Sequence, residues 1–257
     1  MSISVNAMGS TAQPLAVPQP RAIAPLPTRR APRPSNVTLK FTMALTGTVF
    51  ALFVLVHMIG NLKVYTGAAN FDDYAHWLRT LAEPLLPYEG ALWIFRIVLL
   101  AGLVAHVGAS AILVVRARRA RGRFRRTGMN WRRLPATLMP WTGVVLLVFI
   151  VLHILDLTTG TRPIAPQSFE PATETTSHAF ANLVASFERW PMALFYIVVM
   201  VMLGLHLVHG LWSLVTDFGV SGRRLRQVWA AVALIFAAVV MLGNITIPVA
   251  VLAGWVS

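Results

Sequence analysis

Five long apolar runs restrict this chain to one class of fold. The runs cover residues 41–63, 91–115, 137–158, 191–215 and 228–252. A helix of about 20 apolar residues crosses the hydrocarbon core of a bilayer. Hydrophobic residues make up 56% of the 257 positions, and charged residues only 12%. We therefore predict an all-α integral membrane protein, with a bundle of five transmembrane helices within residues 39–257.

The composition also excludes several kinds of site. The chain has no cysteine, which rules out disulfides, thiolate-bound zinc, iron–sulfur clusters and covalently attached c-type haem. The net charge of +13 does not indicate a nucleic-acid partner, because the charges lie between apolar runs rather than on one soluble face. Residues 1–38, rich in proline and alanine, are predicted to form a disordered cytoplasmic tail.

The polar connections between the runs differ in charge, and this difference predicts the topology. Basic residues before the first run and in the second and fourth connections are Arg21, Arg29, Arg30, Arg33, Lys40, Arg116, Arg118, Arg119, Arg121, Arg123, Arg125, Arg126, Arg132, Arg133, Arg223, Arg224 and Arg226. Acidic residues in the first and third connections are Asp72, Asp73, Glu83, Glu89, Glu170, Glu174 and Glu188. The positive-inside rule then places the N-terminus in the cytoplasm and the C-terminus outside. The arginine-rich connection 116–133 has two interpretations, attraction to anionic membrane lipid or docking of an acidic partner surface.

The two outer connections carry weaker signals of structure. The segment 70–81 is predicted to form a short interfacial helix, with Tyr74 and Trp77 suited to the headgroup level. The longest connection, 159–189, lacks strong periodicity and is expected at the outer surface.

Four of the runs contain histidines deep within apolar sequence. His57, His106 and His153 stand alone in their runs, and the fourth run has His206 and His209. An intramembrane ionisable side chain is costly to bury and by default marks a functional site. For any single histidine, the alternatives are a hydrogen bond to a neighbouring carbonyl or a place in a proton relay.

The predicted helix directions place these histidines at two depths. His57 and His153, here called the outer pair, lie about one and a half turns before the outer ends of helices that run outward. His106 and one of His206 and His209 lie in the inner halves of helices that run inward. The intervals from His57 to His106, 49 residues, and from His153 to His206, 53 residues, suggest that one helix pair is used twice. Two histidines at one depth on facing helices can supply both axial ligands of a haem.

Several stretches of the sequence resemble the b558 class of the succinate dehydrogenase cytochrome b subunit family. They are MALTG at 43–47, HMIGNLKVY at 57–65, FDDYAHWLR at 71–79, EPLLP at 83–87, HILDLTTG at 153–160 and GLHLVHGLWS at 204–213. The resemblance extends over residues 40–252. In that family a single five-helix chain holds two b haems in the cytoplasmic (inner) membrane of a prokaryote. It anchors a flavoprotein, which carries FAD, and an iron–sulfur protein on the cytoplasmic side.

The resemblance implies a role for each histidine. It assigns His57 and His153 to the outer, distal haem, and His106 and His206 to the inner, proximal haem. His206 is preferred to His209 because the match places the ligand at the first histidine of HLVHG. His106 and His206 are therefore called the inner pair below.

The resemblance also implies the function. As the membrane anchor of succinate dehydrogenase, at the junction of the tricarboxylic acid cycle and the respiratory chain, the chain would pass electrons from its partners to menaquinone or ubiquinone. No dicarboxylate site is expected in this chain. The direction of catalysis and any higher oligomer stay open.

Two other functions are compatible with histidines inside the membrane. The cytochrome b subunit of another quinone-linked dehydrogenase, of the fumarate reductase, hydrogenase or formate dehydrogenase type, also uses bis-histidine haems. A haem-free transporter with histidines in a proton pathway is favoured by helices interrupted by glycine or proline, and these five runs look continuous.

Quinone reduction requires hydrogen-bond donors, a nearby electron donor and a source of protons. The outer candidates are Asn61, Lys63 and Asp156, and the inner candidates are Trp212, Ser213 and Asp217. Asp156 follows His153 by three residues, on roughly the same helical face, and its alternative role is an ion pair with Lys63 or another outer base. At the inner position, the alternatives are an interfacial anchor for Trp212 and a helix end for Asp217. We favour the outer site, with Asp156 handling protons, because an outer haem serves little purpose if electrons leave only at the inner side.

Overall fold

The structure, a computed structural model, describes residues 34–121, 134–219 and 222–257. Every regular element in these ranges is helical. The helices are α1 Asn36–Asn61, α2 Ala68–Arg79, α3 Gly90–Arg121, α4 Leu134–His153, α5 Ala179–Phe187, α6 Trp190–Asp217 and α7 Arg223–Leu252. A 3-10 turn, Leu62–Thr66, prolongs α1, and a π turn, Ile154–Thr158, prolongs α4. Five of the described helices, α1, α3, α4, α6 and α7, are long and apolar enough to cross a membrane, which confirms the predicted fold class.

Several of these helices extend beyond the apolar runs that predicted them. The third helix continues to Arg121, and α7 already begins at Arg223. Hydropathy detects only the part of a helix that lies in lipid, whereas α3, with 32 residues, is about 48 Å long. At the start of α1, the Ser35 side chain accepts a hydrogen bond from the Thr38 backbone at 3.0 Å. Residues 36–38 therefore belong to α1, and the predicted tail up to residue 33 lies outside the described residues.

Side-chain contacts bring three helix ends together at one end of the bundle. Arg116, near the end of α3, donates to the Asn36 side chain at 2.6 Å. Lys40, in the second turn of α1, forms an ion pair with Asp217, at the end of α6, with an N–O distance of 2.7 Å. We call this end the basic end. The opposite end, where α2 and α5 lie and which carries the acidic connections, is called the acidic end.

The sixth helix lies at the centre of the bundle. It packs against α1, α4 and α7, and α1 packs in turn against α3. The last helix, α7, is closely packed: Ala233 and Val240 are fully buried. A Cβ atom on Gly204 would lie 2.9 Å from the Met241 sulfur, so the glycine allows this close approach of α6 and α7.

The two short helices pack together at the acidic end. The short helix predicted at 70–81 corresponds to α2, whereas α5 was not predicted. Asp72 accepts a hydrogen bond from the Phe180 backbone at 3.0 Å, and the Phe71 and Phe180 rings meet edge to face. Most residues of α5 are buried, including the polar Asn182 and Ser186, so its sequence lacks the charged face that marks a surface helix.

Candidate functional site

The imidazoles of the outer pair meet between α1 and the end of α4. Their ring centroids are 5.9 Å apart and their planes lie at 85°. An imidazole nitrogen binds a metal ion at about 2 Å, so two rings on opposite sides of one ion have centroids about 6 Å apart. Phe53 stacks on His57 and Phe149 packs against His153, each at 5.4 Å between ring centroids. The spacing and the donor atoms of the outer pair therefore fit residues that would hold one haem iron between them.

The imidazoles of the inner pair are each held by a threonine on a neighbouring helix. His106 Nδ1 lies 2.9 Å from the Thr46 hydroxyl on α1. His206 Nδ1 lies 3.0 Å from the Thr142 hydroxyl on α4. The two rings thus use the same nitrogen, Nδ1, for a protein contact, so Nε2 of each is the candidate ligand atom.

None of the four histidines is fully enclosed by this chain. His57 is exposed, and His106, His153 and His206 are half-buried. A ligand can therefore reach each of these residues, and a neutral imidazole is a donor that haem iron accepts. The donor chemistry is compatible with haem at both depths.

The second histidine of α6 has a different environment. His209 Nε2 lies 3.3 Å from the Ser213 hydroxyl one turn further along the same helix, and its ring centroid is 6.2 Å from that of Trp212. In His206 the Nε2 atom is the candidate metal ligand, whereas in His209 the Nε2 atom already contacts Ser213. This contrast supports the choice of His206.

A buried polar network lies beside the outer pair. Asp156 has no exposed surface, and its carboxylate accepts hydrogen bonds from Arg189 at 2.6 Å, Ser186 at 2.5 Å and Tyr196 at 3.1 Å. The Tyr196 oxygen also lies 3.3 Å from His153 Nδ1. The network thus connects an outer-pair imidazole to an ion pair at the acidic end.

The π turn explains why Asp156 points into this network. The Thr159 backbone N–H donates to the Ile154 carbonyl at 2.9 Å, the five-residue step of a π turn, which is often found at functional sites. The prediction that Asp156 shares the helical face of His153 assumed the α-helical period. The wider turn places the carboxylate against α5 and α6, where Arg189 is its basic partner.

The predicted quinone-site residues each have contacts of their own. Lys63 lies over the Tyr74 ring, with its Nζ 5.4 Å from the centroid, and within the described ranges no hydrogen bond or ion pair joins Asn61, Lys63 and Asp156. Each inner candidate has its own partner. These partners are Arg226 over the Trp212 ring at 5.6 Å, His209 for Ser213 and Lys40 for Asp217.

Several residues of these sites were missed by the sequence analysis: Thr46, Thr142, Ser186, Arg189 and Tyr196. A signal for the two threonines does exist, because a Thr–Gly pair stands eleven residues before each member of the outer pair. The other three are brought to Asp156 by tertiary packing, and no local pattern marks them.

Comparison with known proteins decides the family. The model of the succinate dehydrogenase/fumarate reductase transmembrane subunit family matches residues 118–246. The chain belongs to this family. The matched segment contains His153 and His206, one member of each pair.

A curated relative extends the similarity. This subunit is 27% identical over 171 residues to the succinate dehydrogenase cytochrome b558 subunit of Bacillus subtilis (strain 168). The similarity covers 66% of the chain and 73% of that protein. No solved structure matches. The predicted resemblance is therefore confirmed, and the chain is a multi-pass membrane subunit of the succinate dehydrogenase and fumarate reductase type.

Proposed function

We propose that this membrane subunit binds two b haems, one between the outer pair and one between the inner pair, and conducts electrons to a membrane quinone. The observation that carries the proposal is the meeting of His57 and His153, with ring centroids 5.9 Å apart on different helices. Two imidazoles in an apolar bundle are unfavourable without a shared partner. A haem iron, which accepts an imidazole on each face, is such a partner.

The separation between the two pairs supports two haems rather than one. Thr46, which contacts the inner pair, and His57, which belongs to the outer pair, are eleven residues apart on α1. Eleven residues correspond to about three turns and about 16 Å along the helix axis. The two pairs therefore occupy different levels of one bundle, on helices that both cross it.

The side chains around the histidines have separate tasks. A bound haem b supplies one-electron transfer. Phe53 and Phe149 pack on the outer pair and shield it from polar groups. Tyr196 holds the His153 ring from the acidic end. On this proposal, the helices set the two levels at which electrons reside, and aromatic side chains pack against the outer level.

We propose that electrons enter at the basic end and that this end faces the cytoplasm. A flavoprotein subunit with FAD and an iron–sulfur subunit would dock there, as the Bacillus relative is named a succinate dehydrogenase subunit. Arg116, Arg118, Arg119 and Arg121 lie at this end of α3, and the positive-inside rule gives the side.

The orientation can be tested by labelling, because the chain has no cysteine of its own. Arg119→Cys should react with a membrane-impermeant maleimide only after cells are opened. Glu174→Cys, at the acidic end, should react in intact cells. The opposite pattern would place the basic end outside the cell and would contradict the proposed docking side.

A second experiment tests what the arginines at this end do. Replacing Arg118, Arg119 and Arg121 with glutamine should leave the partner subunits bound if these residues serve lipid attraction and topology. Loss of the partner subunits would instead assign these residues to docking.

We propose the acidic end, beside the outer pair, as the place where quinone reacts. Electrons that reach the outer haem need an acceptor there, and an outer haem serves little purpose if electrons leave only at the inner side. The half-buried Asn61 amide and the Lys63 ammonium remain the candidate hydrogen-bond donors. Asp156, being enclosed, would act on the reaction through Arg189 and Tyr196 rather than by touching quinone. Its role in handling protons stays a prediction.

The proposed function is tested by a reduced-minus-oxidised optical spectrum of the purified complex, with a haem-to-protein ratio and identification of the co-purifying subunits. We expect two b haems per chain, together with a flavoprotein and an iron–sulfur protein. A chain without haem would favour the transporter. Haem with hydrogenase or formate dehydrogenase subunits would favour another quinone-linked dehydrogenase, and the direction of turnover with quinol and fumarate would distinguish a fumarate reductase.

A further inference from the structure

One short sequence occurs twice in the bundle at equivalent positions. Met-x-x-Thr-Gly ends at Gly47 in α1 and at Gly143 in α4, and in both helices the threonine precedes an outer-pair histidine by eleven residues. Eleven residues are close to three full turns, so the threonine and the histidine lie on the same helical face. Each of these two helices thus presents an outer-pair imidazole at one level and a threonine hydroxyl about 16 Å away along its axis.

In both copies the threonine hydroxyl contacts a backbone carbonyl three or four residues earlier and an imidazole nitrogen. The Thr46 hydroxyl donates to the Thr42 carbonyl at 2.7 Å and lies 2.9 Å from His106 Nδ1. The Thr142 hydroxyl donates to the Met139 carbonyl at 3.0 Å and lies 3.0 Å from His206 Nδ1. A hydroxyl has one proton to donate, and here the helix carbonyl takes it, as is common for threonine inside helices. The hydroxyl oxygen therefore accepts a hydrogen bond from the imidazole Nδ1–H.

This direction of the hydrogen bond determines the tautomer of each ring. A neutral imidazole carries one N–H, so a proton on Nδ1 leaves the lone pair on Nε2. Metal-bound histidines commonly donate their other N–H to an acceptor, which orients the ring and raises the basicity of the ligand nitrogen.

The glycine that follows each threonine lies beside the same imidazole. A Cβ atom on Gly47 would lie 3.4 Å from His106 Cε1, and one on Gly143 would lie 3.7 Å from His206 Cε1, both ordinary van der Waals distances. Each ring therefore packs against the helix that also supplies its hydroxyl acceptor.

We propose that Thr46 and Thr142 are positioning residues for the inner haem, each presenting Nε2 of one inner-pair imidazole to the iron. The proposal rests on the proposed haem function. The outer pair is held differently, because the Tyr196 hydroxyl, itself bonded to Asp156, faces His153 Nδ1. Loss of a threonine hydroxyl should therefore affect the inner haem and leave the outer haem unchanged. The outer haem thus serves as an internal reference in each variant.

The test uses the full complex purified from membranes. Thr46→Val and Thr142→Val remove the hydroxyl at nearly constant volume, while Thr46→Ser and Thr142→Ser keep it. Thr48→Val is the matched control, because its hydroxyl donates to the Ala44 carbonyl at 2.8 Å and, within the described part of the chain, to no imidazole. Redox titration, electron paramagnetic resonance and haem content are measured for both haems.

The valine variants should raise the midpoint potential of the inner haem, because a less basic imidazole stabilises ferric iron less, and should shift its resonance signal. Haem affinity at the inner site should fall by roughly ten- to hundredfold. The serine variants and Thr48→Val should resemble the wild type. Alanine variants give the same readout if a valine variant does not assemble.

Two results would overturn the proposal. One is an inner haem with unchanged potential and resonance signal in the valine and alanine variants. The other is an equal shift in the serine and valine variants, which would assign the effect to packing rather than to the hydroxyl. A wild-type complex without b haem would overturn the proposed function itself, and a wild type with two haems and unaffected variants would overturn this inference alone.

Discussion

Replacing His153 with alanine is expected to remove one of two b haems from the purified complex and to leave the spectrum of the other unchanged. His57→Ala is expected to remove the same haem, since the two rings lie 5.9 Å apart and would share one iron. His106→Ala and His206→Ala should both remove the other haem. The measurement is the reduced-minus-oxidised spectrum of each variant, resolved by redox titration into its two components.

The second histidine of α6 provides a matched control for this series. His209→Ala changes the same residue type one turn further along the helix, where its Nε2 contacts Ser213. Both haems should remain in this variant. Loss of the inner haem from His209→Ala but not from His206→Ala would assign the ligand to His209. Loss of the same spectral component from the His57 and His106 variants would show that the pairing itself is wrong.

Replacing Asp156 with asparagine is expected to destabilise the acidic end of the subunit and to change the outer haem. The substitution leaves Arg189 without the carboxylate that it contacts at 2.6 Å. Breaking a buried ion pair from one side costs about 3 to 5 kcal/mol, and we expect about 3 kcal/mol because the Arg189 side chain is 31% exposed. The acceptor of the Tyr196 hydroxyl also loses its charge, so the midpoint potential of the outer haem should shift and the inner one should not.

A control substitution and three measurements separate this structural role of Asp156 from direct proton delivery to quinone. Glu188→Gln makes the same chemical change at an exposed residue next to Arg189 and should have little effect on stability or on either haem. Asp156→Asn is then assayed for thermal stability, for both haem potentials and for succinate–quinone turnover. Lost turnover with unchanged stability and potentials would favour proton handling by Asp156. Unchanged turnover and quinone affinity with both haems intact would remove Asp156 from the quinone reaction and favour the inner site.

The sequence by itself determined the parts of this protein that depend on lipid. A transmembrane helix must be apolar over about 20 residues, so its position can be read from local composition, and α1, α3, α4, α6 and α7 lie where the runs predicted them. Depth follows from the same argument, because it requires only the distance of a histidine from the end of its run. The family could also be predicted from the sequence, because its motifs are contiguous, as in the stretch that begins at His153.

Only the tertiary structure decided which side chains meet. The partner of Asp156 is Arg189 rather than Lys63. A π turn directs the Asp156 carboxylate toward the junction of α5 and α6, where Arg189 lies. Thr46 and Thr142 reach the inner pair because their helices are rotated to face it. Hydropathy is a local property of a helix and is set by the surrounding lipid. The rotation of a helix about its axis and the path of a connection depend on contacts between residues far apart in the chain, which no local period records.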